Sequence, residues 1–396
     1  MAFVGKNIHR LGVVVFGGIG DVLLFSPVIA ELKHWLPAAH LVLFVEDRSA
    51  SVVDLLGGVD TVVPLSIQGK PRHRLFLDLS RTLKEKYLDA VLCIGSSAFI
   101  PPLLMLSGAH HRVGYQPSGW LAPYTRPFLT TVAPLHRKRY AAEMYFRLAT
   151  TFLRQLFGKD YVPVTRPRPV VAALPDGVRR KVQPLLRGDD GWQKRILIHP
   201  GVSRVSLSKG IIKTWSAANW ANLILTLSRE HRVYLAGGPD DEAIVNDILA
   251  LLPTRLDRFR NLFGHTQNLQ ELAALIDACD CFVGVDSAPM HLAVALDKPV
   301  VAMFGPTDAS RLLPDALNMR AVMQVDLPCR PCLWDVRQSN CATPVCLNVT
   351  SEAMLEAIEE LLQQPAHPHS ESAPQQQAGP QRPATNATTA SDRDLP

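Results

Sequence analysis

The sequence predicts an α/β protein of two consecutive domains, each built on a parallel sheet. Three observations predict it. Short β-branched runs alternate with helix-patterned segments along most of the 396 residues, the signature of parallel strands joined by right-handed crossovers. Several of these runs end in a glycine turn or a capped helix start, where open parallel sheets bind ligands. A stretch rich in proline, YVPVTRPRPVVAALPDG, breaks the alternation midway and reads as a linker. The expected layout is a first domain over residues 1–165, a linker over 166–193, a second domain over 194–350, a last helix over 351–364 and a tail over 365–396.

Length and composition fit this plan. An apolar fraction of 47% suits folded domains with buried cores. The net charge of +5 is mild but uneven: residues 1–160 carry 18 Lys and Arg against 11 Asp and Glu, so the first half is the one expected to meet an acidic partner. No segment reads as a signal peptide, and no run reaches the roughly 18–20 apolar residues that span a bilayer. The expected compartment is the cytoplasm. Seven cysteines, four of them clustered, do not form the even framework of a secreted disulfide-rich chain.

In chain order, Val13–Phe16 is a buried strand, Gly17, Gly18 and Gly20 permit a tight turn, and Asp21 opens a helix with an apolar stripe through Leu24, Val28 and Leu32. LVLFVE and YLDAVLCIG are further strands. His136–Gly158 reads as a long amphipathic helix with a basic start. In the second domain RILIHPG is the first strand, followed by the helix ANWANLILTLSRE, the strand and glycine loop HRVYLAGGPDD, and the helices DDEAIVNDILALL and NLQELAALIDAC. The stretch from Cys281 to Asp308 reads as strand, turn, helix, strand and loop, with Asp286-Ser287-Ala288-Pro289 where the helix must begin. Ser and Asp cap helices and proline suits the first turn. A helix start after a strand also exposes free N–H groups and a partial positive charge, a seat for phosphate. Ser351 onward is a capped amphipathic helix, and the sequence from about His367 is low-complexity and expected to be disordered.

Four motifs carry chemistry, each with a plainer alternative. Gly17-Gly18-Ile19-Gly20-Asp21 looks like part of a dinucleotide fingerprint, with Glu46-Asp47 near the place of a ribose-binding acid, but position 23 is leucine where the third glycine belongs. Asp21 either takes a proton from an attacking hydroxyl or only caps its helix. Gly201 ends a strand ahead of Lys213, which either neutralises a diphosphate or is a solvated loop lysine. Gly237-Gly238-Pro239-Asp240 either admits a base and ribose or is only a turn. Cys329, Cys332, Cys341 and Cys346, spaced C-x2-C-x8-C-x4-C, hold a structural zinc, pack as reduced thiols or form disulfides.

Together these motifs resemble glycosyltransferase family 9, the lipopolysaccharide heptosyltransferases and their relatives. The match is carried by GGIGDVLLFSPVIAELK, HPG with KTWSAANW, AGGPDDE, FVGVDSAPMHLAVALDKPVVAMFGPTD and CRPCLWDVRQSNCATPVC, over roughly Arg10–Gln363. The resemblance implies a GT-B architecture, two Rossmann-like domains facing across a cleft, with the last helix returning toward the first domain. It implies inverting transfer of a sugar, a heptose from an ADP-heptose, onto a lipopolysaccharide core or related anionic glycolipid. On the donor side it implies Gly201, Lys213, Gly238, Asp240 near the ribose, and Asp286, Ser287, Ala288 and His291 around the diphosphate and sugar. Asp21 matches the proposed catalytic base, with Gly18 and Gly20 beside it. His111 and Arg112, together with His136–Arg139, are the candidates for meeting the acceptor. No cofactor or catalytic metal is expected, and no nucleic-acid partner. Contact with the inner face of the cytoplasmic membrane would be peripheral. Two rivals remain at this stage: a nicotinamide-dependent oxidoreductase using the first glycine turn, and a non-catalytic metal-binding or sensing protein.

Overall fold

The computed structural model describes residues 8–67, 69–186, 194–324, 327–332, 341 and 344–364. The tail, part of the linker and part of the cysteine segment lie outside the described residues.

The strands are β1 (Arg10–Val15), β2 (His40–Glu46), β3 (Thr61–Leu65), β4 (Ala90–Cys93), β5 (His111–Tyr115), β6 (Thr131–Ala133), β7 (Arg195–His199), β8 (Arg232–Leu235), β9 (Phe259–Asn261), β10 (Cys281–Val285), β11 (Val300–Phe304) and β12 (Met319–Met323). They form two six-stranded sheets in the orders β3-β2-β1-β4-β5-β6 and β12-β11-β10-β7-β8-β9. The two orders are the same doubly wound pattern, used twice. Every pairing is parallel; Arg10 is in register with His40 and Leu11 with Ala90, and Gly284 with both His199 and Ala302. Each sheet therefore has one switch point, between β1 and β4 and between β7 and β10, where a crevice opens beyond the carboxyl ends of the strands. Continuous burial of β1, β2, β10 and β11 matches their apolar runs, because helices cover both faces of such sheets. Pro64 is tolerated in β3 because that strand is an edge.

The helix Ile19–Trp35 carries Pro27 in its interior. Proline removes the N–H that would bond to Leu23, and the Ser26 hydroxyl donates to that carbonyl instead, at 2.7 Å. Ser26 Oγ in turn accepts from the Val170 N–H at 2.8 Å, fastening the start of the linker. Glu31, fully buried on the same helix, accepts from the Tyr161 hydroxyl at 2.9 Å and the Thr165 N–H at 2.8 Å.

The basic helix expected from His136 begins instead at Ala141. His136–Arg139 form an exposed loop ahead of it, which agrees with the unfavourable interaction of cations with a helix N-terminus. The last helix, Ser351–Gln363, also departs from expectation. Among the described residues its packing is on the second domain and not on the first. Its buried stripe of Met354, Ile358 and Leu361 packs on β11, β12 and the helix Ala217–Leu227, in one apolar cluster with Trp215, Trp220 and Val301. That stripe matches the open face of the second sheet, so burial holds the helix there.

The two halves meet directly. The helix Ile19–Trp35 packs on Ala288–Ala295, and Leu23, Leu24, Met290 and Leu292 belong to one continuous core cluster. At the rim, Arg168 pairs with Asp297 at 2.7 Å and Gln270 donates to the Asp54 carbonyl at 2.8 Å.

Glu31→Ala would leave the Tyr161 hydroxyl and two backbone N–H groups without their shared acceptor. We expect a loss of about 1.5–3 kcal/mol in denaturant unfolding of the first domain, and a smaller loss for Glu31→Gln, which retains an acceptor oxygen.

Candidate active site

The first lip of the cleft is the turn after β1. Gly17 has φ +146°, and a Cβ there would fall 2.2 Å from Asp21 Oδ2. Gly18 donates its N–H to the same oxygen at 2.9 Å, so Asp21 closes a capping box on its own helix. Its other oxygen accepts from the Tyr145 hydroxyl at 3.2 Å. Capping and proton transfer are thus not exclusive alternatives here: the cap fixes the carboxylate at the lip. Burial raises the Asp21 carboxyl above its ordinary range, against the Gly18 N–H, Tyr145 and Arg48, all of which favour the charged form. The Asp21 carboxylate also occupies the Gly18 N–H that a dinucleotide phosphate would use, and Glu46 is paired with Arg48 at 2.8 Å. The nicotinamide reading therefore finds the Gly18 donor and the Glu46 carboxylate already engaged.

The second lip is built at the carboxyl end of β10. Asp286 is 4% exposed, with its carboxylate 2.6 Å from Lys213 Nζ. Burial alone would raise this carboxyl, but Lys213 and His291, with the nearby Thr307 hydroxyl, outweigh it and hold the group below its ordinary range. Ser287 caps the helix Ala288–Ala295 with its backbone only. Its buried hydroxyl has no hydrogen-bond partner among the described residues, and neither has His291 Nδ1. Burial, aided by the Lys213 charge and opposed by Asp286, lowers His291 to about 4, so the imidazole is neutral near pH 7. Two polar side-chain atoms, the free amides of a helix start and an ammonium thus converge at one place.

The lips touch. A Cβ on Gly20 would fall 2.8 Å from His291 Cδ2, so glycine is required for the helix of one half to approach the histidine of the other. The structure therefore brings Gly18, Gly20 and Asp21 together with Lys213, Asp286, Ser287, Ala288 and His291.

Other expected site residues lie elsewhere or serve differently. Gly201 and Gly238 pack around Asp241: a Cβ on Gly201 would fall 1.7 Å from Asp241 Oδ1, and Gly238 donates its N–H to Asp241 Oδ2 at 2.8 Å. His199 completes that buried group, with Nε2 3.5 Å from Asp241 Oδ2. Asp240 is more exposed and accepts from the Arg204 N–H at 2.9 Å. It lines a cavity of about 870 Å³ together with Val202, Ile212, Thr214, Trp215 and Asn219. His111 and Arg112 begin β5 and so lie at the opposite end of the sheet from Asp21. Arg112 is spent on the Phe128 and Ala109 carbonyls, both at 2.7 Å, and His111 packs edge-on against Phe152. The four cysteines of the C-x2-C-x8-C-x4-C motif are free thiols. Cys346 is buried near Gly305 and the Cys332 N–H donates to the Pro306 carbonyl, while Cys329 and Cys341 face solvent. Among the described residues, no group of three or more His, Cys, Asp or Glu is placed to hold a metal ion.

Tyr145 and Arg48 are site residues that the sequence did not single out. Tyr145 is one of several buried residues on the apolar face of the helix Ala141–Phe157, and only its hydroxyl distinguishes it.

Two Rossmann-like halves whose switch points face one another, with an acid on one lip and a cationic seat on the other, have the GT-B fold. Residues 76–342 match the model of glycosyltransferase family 9 (heptosyltransferase), and the chain belongs to that family. It is 30% identical over 295 residues to the lipooligosaccharide heptosyltransferase 2 of Haemophilus influenzae, covering 73% of this chain and 81% of that one. It is 29% identical over 281 residues to the lipopolysaccharide heptosyltransferase 2 of Salmonella typhimurium, covering 58% and 78%. Among solved structures, the E. coli ADP-heptose lps heptosyltransferase II superposes with a TM-score of 0.63 at 22% identity, over 89% of this chain and 98% of that chain.

Lys213→Ala would strand the buried Asp286 carboxylate. We expect a loss of about 3 kcal/mol at neutral pH, largely restored by adding Asp286→Asn. Because the pair holds Asp286 below its unfolded value, its stabilising effect is present above that value and fades as pH falls through the folded one. The gap between Lys213→Ala and the parent, followed by thermal melts, should therefore close on acidification.

Proposed function

We propose that the protein transfers a heptose from an ADP-activated donor to a hydroxyl of an anionic lipopolysaccharide-core glycolipid, with inversion at the anomeric carbon, at the cytoplasmic face of a membrane. The observation that carries this reading is the meeting of Asp21 with the Lys213, Ser287 and His291 seat through the Gly20–His291 contact. The relatives named above, all heptosyltransferases, support the choice of sugar.

The diphosphate would lie at the start of the helix Ala288–Ala295, accepting from the Ser287 and Ala288 N–H groups and the Ser287 hydroxyl, with Lys213 supplying the countercharge. The cavity lined by Asp240, Thr214 and Trp215 adjoins Lys213 in sequence and has room for a nucleoside, with Asp240 toward the ribose. The acceptor oxygen attacks the anomeric carbon from the face opposite the diphosphate. The new C–O bond forms as the bond to the diphosphate oxygen breaks, the hydroxyl proton passes to Asp21, and ADP leaves. One displacement inverts the centre. A carboxyl raised by burial is, once ionised, a stronger base than an ordinary surface aspartate.

Calorimetric titration with ADP, UDP, GDP and NAD tests the donor side: ADP should bind alone or tightest, and binding of NAD without any diphosphate would overturn the reading. Asp21→Asn should abolish transfer, by at least about 10³-fold, with ADP affinity unchanged. The same variant carries a stability signature. A carboxyl raised on folding favours the folded state below its unfolded value, and that support is lost as pH rises through the folded value. Asp21→Asn should therefore melt higher than the parent at neutral pH, and the difference should vanish in acid.

A further inference from the structure

The loops at the carboxyl ends of β4, β5 and β6 leave the same edge of the first sheet as Asp21, and they carry an unusual surface. Trp120 is 82% exposed and Tyr124 72%, with Leu121 also exposed between them. An ordered turn presents these side chains. Ser118 donates its N–H to the Ser96 carbonyl at 3.0 Å, Gly119 takes φ +93°, Ala122 donates its N–H back to the Gly119 carbonyl at 3.0 Å, and the Thr125 hydroxyl bonds to Leu121 at 3.1 Å. Folding has therefore fixed two large aromatic rings in water, where burial would have been favourable had it been available.

The charge around them is of one sign. Residues 90–142 contain five Lys and Arg and no Asp or Glu. Arg126 follows the aromatic turn and is exposed, as are Arg137 and Lys138. Arg137 reaches the Ser96 hydroxyl at 3.4 Å, which places it beside the strand-like pairing of Ser97 with Ser118 that holds the turn. Amphipathic Trp and Tyr at a tip, on a stretch of chain that carries cations and no acids, fit the boundary between headgroups and acyl chains of an anionic bilayer.

We propose that the Ser118–Arg126 turn is the docking element by which this protein binds an anionic phospholipid surface, with Trp120 and Tyr124 entering the interface and Arg126 and Lys138 meeting the headgroups. The proposal rests on the glycolipid-acceptor reading and deepens it. A bilayer on this face lies on the same edge of the sheet as Asp21, so a lipid-anchored hydroxyl need not leave the membrane far to reach the carboxylate.

The test is co-sedimentation of the full chain with vesicles of phosphatidylglycerol and phosphatidylethanolamine, with phosphatidylcholine vesicles as control. The parent should pellet with the anionic vesicles only, and high salt should weaken the association. Trp120→Ala/Tyr124→Ala should lower the partition at least tenfold, and Trp120→Phe/Tyr124→Phe should retain most of it. The alanine pair should keep its melting temperature, its ADP affinity and its transfer to a delipidated acceptor, and lose transfer to an acceptor embedded in vesicles. Three results would overturn the docking element: a parent that stays in the supernatant, an alanine pair that partitions like the parent, or self-association that the alanine pair abolishes while vesicle binding is absent. Absence of transfer even to the delipidated acceptor would count against the Asp21 reading instead, leaving the vesicle result to stand by itself.

Discussion

The contact between Gly20 and His291 is the constraint on which the rest of the site depends. A side chain at position 20 would collide with the ring of the buried His291, which sits on a helix packed into the continuous core. With glycine there, the helix Ile19–Trp35 closes on Ala288–Ala295 and carries Asp21 to the second domain. The approach also dries the site. Asp21 and His291 shift in the directions burial dictates, the carboxyl upward and the imidazole downward, and both shifts suit a base and an uncharged partner near a leaving diphosphate. Asp286 moves the other way because Lys213 is beside it, so the pair stays ionic and keeps the ammonium at the donor seat.

The same capping device is used twice with different results. Gly18 and Asp21 after β1, and Gly238 and Asp241 after β8, are both glycine N-caps whose N–H is accepted by an aspartate three residues on. Asp241 is buried beneath Gly201 and beside His199, so it is architecture. Asp21 has Tyr145 on one oxygen and remains partly open to the cleft. Local sequence chemistry sets the cap, and the position of the loop in the sheet decides whether the acid can also serve a reaction. The glycines at 201 and 238 illustrate this point. Gly201 is needed for close approach and Gly238 gives its N–H, but in both cases the partner is the protein's own Asp241 side chain.

Much of the fold was legible in the sequence because it rests on local signals. β-branched runs, glycine turns and capped helix starts identify β1, β2, β4, β7, β8, β10 and β11 and the helices that follow several of them. The strand order and the meeting of the halves depend on pairings distant in sequence, so only the family resemblance supplied them. The edge strands β3, β6 and β9 are short or carry proline and lack a clear pattern. At the site, Asp21, Asp286 and Ser287 sit where a strand gives way to a helix and could be singled out by position, with His291 one turn into that helix and Lys213 just ahead of the helix Ala217–Leu227. Tyr145 could not, since a tyrosine on an apolar helical face is ordinarily core. His111 and Arg112 misled because a basic cluster says nothing about which end of a strand it occupies. The last helix misled because its amphipathic stripe fits any apolar face, and the second sheet offered the nearer one.

The central claim is that donor and base lie on opposite lips joined at Gly20 and His291. The measurement that tests it most directly is a crystal structure with an unreactive ADP-sugar analogue whose 2-position carries fluorine. The diphosphate should lie at the start of the helix Ala288–Ala295 within reach of Lys213, and the face of the anomeric carbon away from the diphosphate should look toward Asp21. A diphosphate seated instead on the Gly17–Gly20 turn, or an anomeric carbon shielded from Asp21, would contradict it.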